Sequence, residues 1–261
     1  MLNMSVIRTV VRASVLSTAL AGLAVPASAQ VVHSVSFGVG MFTPRSYDSR
    51  ADGDVWVANL TQPVIPGTNP QITGSLAFDI KDFRLVPVFG EWHIGFGNHI
   101  EVGVGAAYAN QTVASVYGDL VNGHGTSQTG DDTEIAQDLR LQTIPITGVV
   151  RFLGGRPGHF QPYAGIGVAA IVFKYTETGD FVDSTDWSTI YNAKYTANGT
   201  AFGPILLGGA RVPLGGDVYA LNFEGRYQWV VGKTGGFDAG FLGDKIDLGG
   251  WGLNFGFMIR F

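Results

Sequence analysis

The segment WGLNFGFMIRF, residues 251–261, decides the fold class of this chain. Large apolar side chains occupy every second position from Trp251 to Phe261, and glycine, asparagine, methionine and arginine fill the positions between them. Alternate side chains of a β-strand lie on opposite faces, so this segment would have one fully apolar face. Such a face would promote aggregation in water, but it suits a strand that touches lipid. We therefore predict a lipid-exposed strand over residues 251–261.

The first 29 residues (1–29) form a separate segment. Two arginines, Arg8 and Arg12, precede a short apolar stretch, and small residues occupy positions 27–29. This order is typical of a secretory signal peptide, here with cleavage after Ala29. A membrane anchor is the alternative, although a spanning helix needs ~20 apolar residues. We predict that residues 30–261 form one exported domain.

The composition favours a surface that faces hydrocarbon. Charged residues make up only 14% of the chain, aromatic residues make up 12%, and there are 38 glycines. The chain has no cysteine, so an exported domain must be stable without disulfides. The net charge of −5 argues against a nucleic-acid partner.

Seven further segments repeat the alternation of the first one. They lie at residues 34–41, 86–96, 100–108, 139–152, 161–173, 201–212 and 218–229. Alternating segments of ~10 residues are the sequence signal of a membrane-spanning β-strand, and repetition makes the signal persuasive. We predict an all-β, transmembrane, up-and-down antiparallel β-barrel of eight strands. Ten strands are the main rival, because the long first connector has room for another hairpin.

The connectors between these segments alternate in length. Short ones lie at Gly97-Asn98, Gly154 to Gly158 and Leu214 to Asp217, and long polar ones lie at residues 43–83, 112–136, 176–200 and 231–246. Outer-membrane barrels have short periplasmic turns and longer extracellular loops. With the short turns on the periplasmic side, we predict two aromatic girdles, one at each membrane interface. They comprise Phe152, Phe160, Tyr219 and Phe261 at the inner rim, and Trp229 and Trp251 near the outer rim.

Three motifs resemble those of a known group of proteins. They are Arg151-Phe152 at the end of a strand, Pro162-Tyr163-Ala164-Gly165-Ile166-Gly167 in the next one, and Phe261 at the end of the last one. Together they resemble the small outer-membrane barrels of the OmpA/OmpX/OmpW-like group. The resemblance implies that the strand ending at Phe261 is recognised by the barrel-assembly machinery.

Eight ionisable residues are predicted to point into the lumen. They are Glu91, His93, Glu101, Arg151, Arg211, Glu224, Arg226 and Arg260. An eight-stranded barrel is just wide enough for side chains to fill it, so opposite charges should pair across the lumen as a polar plug. The alternative is a narrow gated pore, or a ligand pocket around Glu91, His93, Glu224 and Arg226.

Other possible sites carry weaker signals. Residues 165–170 match the G-x-G-x-x-A dinucleotide pattern, but a strand rather than a helix is predicted to follow, so we expect no nucleotide and no cofactor. Acidic residues cluster in the second predicted loop (Asp119, Asp131, Asp132, Glu134, Asp138) and in the third (Glu177, Asp180, Asp183, Asp186). They could hold a divalent cation, but they lack the spacing of a calcium loop, and we predict solvated loops and no metal.

Function is predicted only in outline. We expect a monomeric protein of the bacterial outer membrane with a structural or surface-interaction role, whose partners are outer-membrane lipids, lipopolysaccharide and the barrel-assembly machinery. A narrow channel for small hydrophobic or ionic solutes is the alternative. A lipid-modifying enzyme is more remote, because such chemistry needs a nucleophile within reach of a base, and only His124 lies near acids in a predicted loop. We predict no catalytic residues.

Overall fold

The computed structural model describes residues 31–45, 76–77, 80–117, 136–182, 190–241 and 243–261. Each of the eight alternating segments lies in a strand. The strands are β1 (Val31–Pro44), β2 (Val88–Phe96), β3 (Ile100–Tyr117), β4 (Ala136–Leu153), β5 (Gln161–Val182), β6 (Ile190–Pro213), β7 (Tyr219–Gln228) and β8 (Gly250–Arg260). The predicted signal peptide lies outside the described residues.

The strands close into a ring. Each strand pairs antiparallel with the next, and β1 pairs with both β2 and β8, for example through Phe37 opposite Gly90 and Phe257. The prediction of an eight-stranded up-and-down barrel is therefore confirmed. The described part of the first connector contains the short strand Leu76–Ala77, which pairs with the end of β3, and the 3-10 turn Ile80–Phe83.

Alternation along the strands sorts side chains between the lumen and the outside, as predicted. In β8, Trp251 and Leu253 are 66% and 58% exposed, whereas the intervening Gly252 and Asn254 are buried in the lumen. No helix among the described residues is long and apolar enough to cross a membrane.

All the short turns lie at one end of the barrel, which we call the short-turn end. The turns join β2 to β3, β4 to β5 and β6 to β7, at the positions that the sequence predicts. The long connectors lie at the opposite end, which we call the long-loop end.

Four strands are longer than predicted. Residues 112–136 and 176–200 were predicted as polar loops, but β3 continues to Tyr117, β4 begins at Ala136, and β5 and β6 remain paired up to Val182 and Ile190. This prediction was wrong because the polar residues of these segments continue the strands above the apolar band instead of ending them. Together with residues 139–143 and 173 of the predicted strands, the extra residues form a raised wall at the long-loop end, comprising 109–117, 136–143, 173–182 and 190–200.

The exposed side of β5 changes character at the base of the raised wall. Its outward residues are apolar from Pro162 to Val172, and the next one outward is Lys174. Ten residue steps of ~3.3 Å, tilted by about 40°, cover about 25 Å, the height of the apolar band of membrane barrels. The partner strand changes at the same level, because Val172 lies opposite Thr200 and the outward Phe202 lies just below it. We call this level the boundary.

Above the boundary the inside of the wall is apolar. Leu139, Leu141, Phe173 and Tyr175 are buried there, and two connectors fold over them from above. One connector supplies Phe83 and Leu85, and the other runs through the short hairpin Val231–Lys233 with Lys245–Asp247 and the 3-10 turn Gly236–Ala239. We call this buried cluster the apolar cap. The predicted loop 231–246 is thus folded into the mouth of the barrel.

Candidate functional site

Below the boundary the lumen is filled by a network of charged side chains, which we call the ionic plug. It comprises Glu91, His93, Glu101, Arg151, Tyr163, Arg211, Glu224 and Arg226. Apart from Arg226, these residues are almost completely buried.

Arg151 is the centre of the ionic plug. It is fully buried, and its guanidinium donates to both oxygens of Glu91, at 2.6 and 2.9 Å. It also donates through Nε and Nη2 to Glu224, at 3.1 and 2.7 Å. Because these residues come from β4, β2 and β7, the cluster spans the lumen. Bidentate contacts of this kind are the strongest form of ion pair.

A second ion pair lies on the short-turn side of Arg151. The two terminal nitrogens of Arg211 donate to the two oxygens of Glu101, at 2.8 and 2.5 Å. His93 and Ser36 adjoin this ion pair. Nδ1 of His93 lies 3.0 Å from Glu101 Oε1, and Nε2 of His93 lies 2.8 Å from Ser36 Oγ. Nη1 of Arg151 also lies 3.2 Å from Nδ1 of His93, so the imidazole contacts both ion pairs.

Tyr163 connects the two ion pairs. Its hydroxyl donates to Asn222 at 2.8 Å and lies 3.1 Å from Glu224, while its ring lies 5.5 and 5.3 Å from the guanidinium carbons of Arg151 and Arg211. Arginine over an aromatic ring is a favourable cation–π contact.

The charges of the ionic plug balance. Arg226 donates to Glu224, so that three arginines face three glutamates. Buried charges are tolerable when they are paired and hydrogen-bonded in this way.

Two glycines provide the room that the ionic plug needs. A Cβ atom on Gly103 would lie 2.2 Å from Glu91 Oε1 and 2.6 Å from Arg151 Nη1. A Cβ atom on Gly209 would lie 2.6 Å from the Tyr163 hydroxyl. All three distances are too short for a real Cβ contact, so the inward glycines of these strands leave space in a narrow lumen.

Ser36, His93 and Glu101 have the hydrogen-bond order of a serine hydrolase triad. Ser36 and His93 are fully buried, and neither lines any of the described cavities. Glu101 is also bound by Arg211. Without space for a substrate carbonyl beside Ser36 Oγ, this arrangement serves packing rather than acyl transfer.

A cavity lies between the ionic plug and the apolar cap. Its volume is about 60 Å³, with Glu91 and Arg226 on its plug side and Leu85, Leu141 and Leu248 on its cap side. The β3–β4 ladder is interrupted beside it, between the pairs Ala106–Ile146 and Ala109–Thr143. Pro145, which lines the cavity, has no N–H to donate to the ladder at this point.

The structure places Arg260 apart from the ionic plug. Arg260 lies at the short-turn end, where it donates to the backbone oxygen of Asp217 at 3.1 Å. His33, beside Ser34, points outward and stacks between the rings of Trp92 and Phe261, at 5.6 and 6.3 Å.

The predicted girdle residues all lie on the outside of the barrel. The exposed fractions are 59% for Phe152, 61% for Phe160, 47% for Tyr219, 72% for Phe261, 43% for Trp229 and 66% for Trp251. The first four lie at the short-turn end, and the two tryptophans lie near the boundary at the long-loop end, where Tyr227 packs edge-on against both.

The acidic clusters were predicted in loops. Asp119, Asp131, Asp132, Glu134, Asp183, Asp186 and the candidate base His124 lie outside the described residues. Glu177 was predicted in a loop, but it lies in β5 with its side chain buried, and it accepts a hydrogen bond from Tyr175 at 3.0 Å. Within the described residues, no group of three or more ligating side chains could hold a metal ion.

The alternation places Ser36, Tyr163 and Asn222 on inward faces, but it does not identify them as partners of the charged side chains. The apolar cap was not predicted at all. A signal for the cap was present: in LRLQ (139–142) the leucines take the inward positions, whereas in ITGVVRF (146–152) the inward positions hold Thr147, Val149 and Arg151.

Comparisons with known proteins find similarity at the level of structure. No family model and no curated protein matches the chain. The outer membrane protein OprG of Pseudomonas aeruginosa is 16% identical, with a TM-score of 0.49 over 89% of this chain and 97% of that one. The attachment invasion locus protein Ail of Yersinia pestis, solved with the heparin analogue sucrose octasulfate, is 10% identical, with a TM-score of 0.42 over 89% and 99%.

The N-terminal β-barrel domain of Pseudomonas aeruginosa OprF is also similar. It is 10% identical, with a TM-score of 0.33 over 88% of this chain and 97% of that one. The closed ring of eight strands, the outward apolar band and the polar lumen are observed in this chain itself. The chain therefore has the fold of the small outer-membrane β-barrels.

Proposed function

We propose that this chain is a non-conducting barrel of the bacterial outer membrane with a structural and surface-interaction role. In this proposal residues 1–29 are removed on export, the short-turn end faces the periplasm, and the raised wall projects outside the cell. Its partners in the membrane are lipids, including lipopolysaccharide, and its assembly uses the strand that ends at Phe261. We assign no catalysis to it.

The ionic plug is the observation that carries the proposal. Arg151 holds carboxylates from β2 and β7 across the lumen and is itself fully buried. An ion entering this region would have to displace a charge-balanced set of paired side chains, and breaking such pairs is costly. The arrangement supports a closed lumen rather than an open pore.

The raised wall supports the surface-interaction role. Its outward side is polar and hydrogen-bonded within itself: Arg140 donates to Asn110 at 3.0 Å, and Asn192 donates to Asp180 at 3.0 Å. Its inward side is held by the apolar cap, so the wall is a supported surface rather than a free hairpin. From Val172 to Val182, with the same tilt, β5 rises about 25 Å beyond the boundary.

Conductance across a planar lipid bilayer tests the closed lumen. The purified barrel should give no discrete current steps, whereas the double variant Arg151→Ala/Glu224→Ala, which removes one charge of each sign, should open a narrow path. The control is Asp138→Ala/Arg140→Ala, which removes the same pair of charges from the exposed side of β4 and should stay silent. Regular steps from the unaltered barrel would overturn the proposal.

Attachment of cells that display the barrel tests the raised wall. Residues 179–193 would be replaced by Asn-Gly, because Thr178 and Lys194 lie opposite each other and a two-residue turn can join them. The shortened barrel should reach the membrane in equal amount, and cell attachment to a surface or to other cells should fall. Equal attachment by both barrels would contradict the interaction role.

A second candidate is a narrow channel for small hydrophobic or ionic solutes. It is favoured by the cavity of about 60 Å³ above the ionic plug and by the gap in the β3–β4 ladder beside it. The bilayer experiment separates the two candidates, because only the channel gives current from the unaltered barrel. A lipid-modifying activity would appear instead as a change in acyl-chain mass when the barrel is incubated with lipopolysaccharide.

A further inference from the structure

The short-turn end of the barrel contains a second cavity, separate from the one above the ionic plug. Its volume is about 160 Å³. Residues of six strands and three turns line it, among them Ser34, Glu101, Gln161, Asp217 and Arg260. This is smaller than the pocket of a drug-sized ligand, and it has room for a small anion or a few water molecules.

Hydrogen-bond donors in and behind this cavity lack acceptors. Nε2 of Gln161 and Nε of Arg211 are buried and have no hydrogen-bond partner in the part of the chain that the structure describes. The two residues are direct cross-strand neighbours on β5 and β6, so their unpaired donors belong to one place in the wall. Buried donors without partners are rare in proteins, which suggests that an acceptor completes the site.

The guanidinium of Arg260 is not engaged by a side chain. Among the described residues it makes no direct ion pair, and it donates to the backbone oxygen of Asp217. Asp217 and Glu101 also line the cavity, but both Glu101 oxygens are held by Arg211 and one also contacts His93. The cavity therefore has an arginine fork and an amide donor that no described side chain binds.

We propose that the cavity at the short-turn end binds a small organic carboxylate. A carboxylate has two oxygens in one plane, which a guanidinium can bind through parallel N–H bonds, and Arg260 supplies that fork. Gln161 and Ser34 line the same cavity, and Ser34 lies opposite Arg260 on the neighbouring strand, so an amide and a hydroxyl stand beside the guanidinium. Partial burial of Arg260 strengthens the attraction relative to an arginine in bulk water.

Nuclear magnetic resonance of the folded barrel in detergent micelles tests this site. Sodium propionate, added at constant ionic strength against sodium chloride, should shift the backbone amides of Gly97, Asn98 and Asp217 and the side-chain NH₂ of Gln161. The amide of Thr234, at the opposite end, should not move. No shift, or equal shifts at both ends, would overturn the proposal.

Three variants give the residue-level test. Arg260→Gln should weaken propionate binding about ten- to a hundredfold, because a charge-assisted contact is lost. Arg140→Gln, the same change on the exposed side of β4, should leave binding unaltered. Gln161→Glu places a carboxylate inside the cavity, so it should abolish propionate binding and raise the melting temperature. Unaltered binding by Arg260→Gln would refute the assignment.

Inorganic phosphate, run in parallel, tests the chemical class of the ligand. The planar fork predicts that propionate shifts the same resonances at lower concentration than phosphate does. A stronger response to phosphate would show that the site selects a tetrahedral anion, and the carboxylate assignment would be wrong. Folding of each variant is checked by its change in gel mobility on boiling.

Discussion

The parts of the barrel below and above the boundary have opposite interiors. Below it, apolar side chains face outward and the lumen holds the ionic plug; above it, polar side chains face outward and the apolar cap fills the inside. Strand β5 crosses from one arrangement to the other without a break in its pairing with β4 and β6. The backbone is the same in both parts, so the difference shows that the surroundings of the strand, rather than its geometry, determine which face is apolar.

The two parts also depend on different interactions. The lower part buries charges that must stay paired, whereas the upper part buries apolar surface as a water-soluble protein does. Substitutions that are tolerated in one part should therefore be costly in the other. The following predictions test this contrast, from the largest expected effect to the smallest.

Arg151→Ala should have the largest effect on stability. It leaves Glu91 and Glu224 buried without their shared cation, and breaking a buried ion pair costs about 3–5 kcal/mol. Urea unfolding in detergent, followed by gel mobility, measures the change. Arg140→Ala in the raised wall should cost less than about 0.5 kcal/mol, since Arg140 is exposed. Similar costs for both would refute the difference between the two parts.

Phe241→Ala should loosen the apolar cap without opening the barrel. Phe241 is 1% exposed and packs against Tyr175 and Tyr195, with ring centres 5.9 and 6.4 Å away. Deleting a buried phenylalanine ring costs about 3–5 kcal/mol. Limited proteolysis of the connector should become faster in this variant. The control is Phe237→Ala, at a 79% exposed position in the same connector, which should be cut at the rate of the unaltered barrel. Equal rates for both variants would contradict this role.

Val168→Arg should destabilise the barrel in lipid, whereas Thr178→Arg should not. Both positions point outward on β5, but Val168 lies within the apolar band and Thr178 lies above the boundary. Arginine on the lipid face near mid-membrane costs about 2–4 kcal/mol. Unfolding in liposomes measures both variants, and Leu221→Arg repeats the test on β7. A neutral Val168→Arg together with a neutral Leu221→Arg would mean that the outward face is wrongly assigned.

Glu177 should make the upper part sensitive to pH. Its carboxyl lies above the boundary, and burial raises its pKa from the ordinary 4.5 to about 7. The folded state therefore holds its proton more tightly than the unfolded state, so stability is full below about pH 4.5 and falls as the pH rises towards 7. The difference corresponds to at most on the order of 3 kcal/mol.

Glu177→Gln should remove this dependence and stabilise the upper part at pH 8. Hydrogen exchange of the raised wall, measured between pH 5 and pH 8 and corrected for intrinsic exchange, gives the comparison. The unaltered barrel and the variant should agree at the acidic limit and diverge above it. Parallel profiles over the whole range would rule out Glu177 as the cause.

The sequence was sufficient to predict the part of the fold that touches lipid. Alternation around Phe223, Phe255 and Ile166 requires only local periodicity, so eight strands, their faces and the short turns could be predicted. The ends of β5 and β6 could not be predicted in the same way. Above the boundary the outward residues become polar, as in Lys174, Thr178 and Asn198, and this composition resembles that of a loop.

The inward direction of the charged residues was predictable, but their partners were not. Which glutamate Arg151 binds depends on how the strands are staggered around the ring, and Glu91 and Glu224 are 60 and 73 positions away in the sequence. Arg260 lies apart from the ionic plug for the same reason, because the stagger of the strands decides at which level of the lumen each inward residue lies. The apolar cap depends in addition on connectors that fold inward, for which alternation gives no information.

Lipid contact along one face of β5 tests the central claim most directly. The chain has no cysteine, so single cysteines at 166, 168, 172, 178 and 180 can each carry one fluorescent label. Brominated acyl chains should quench labels at 166, 168 and 172 strongly and labels at 178 and 180 little or not at all. Equal quenching at all five positions, or none at any, would contradict a boundary at Val172.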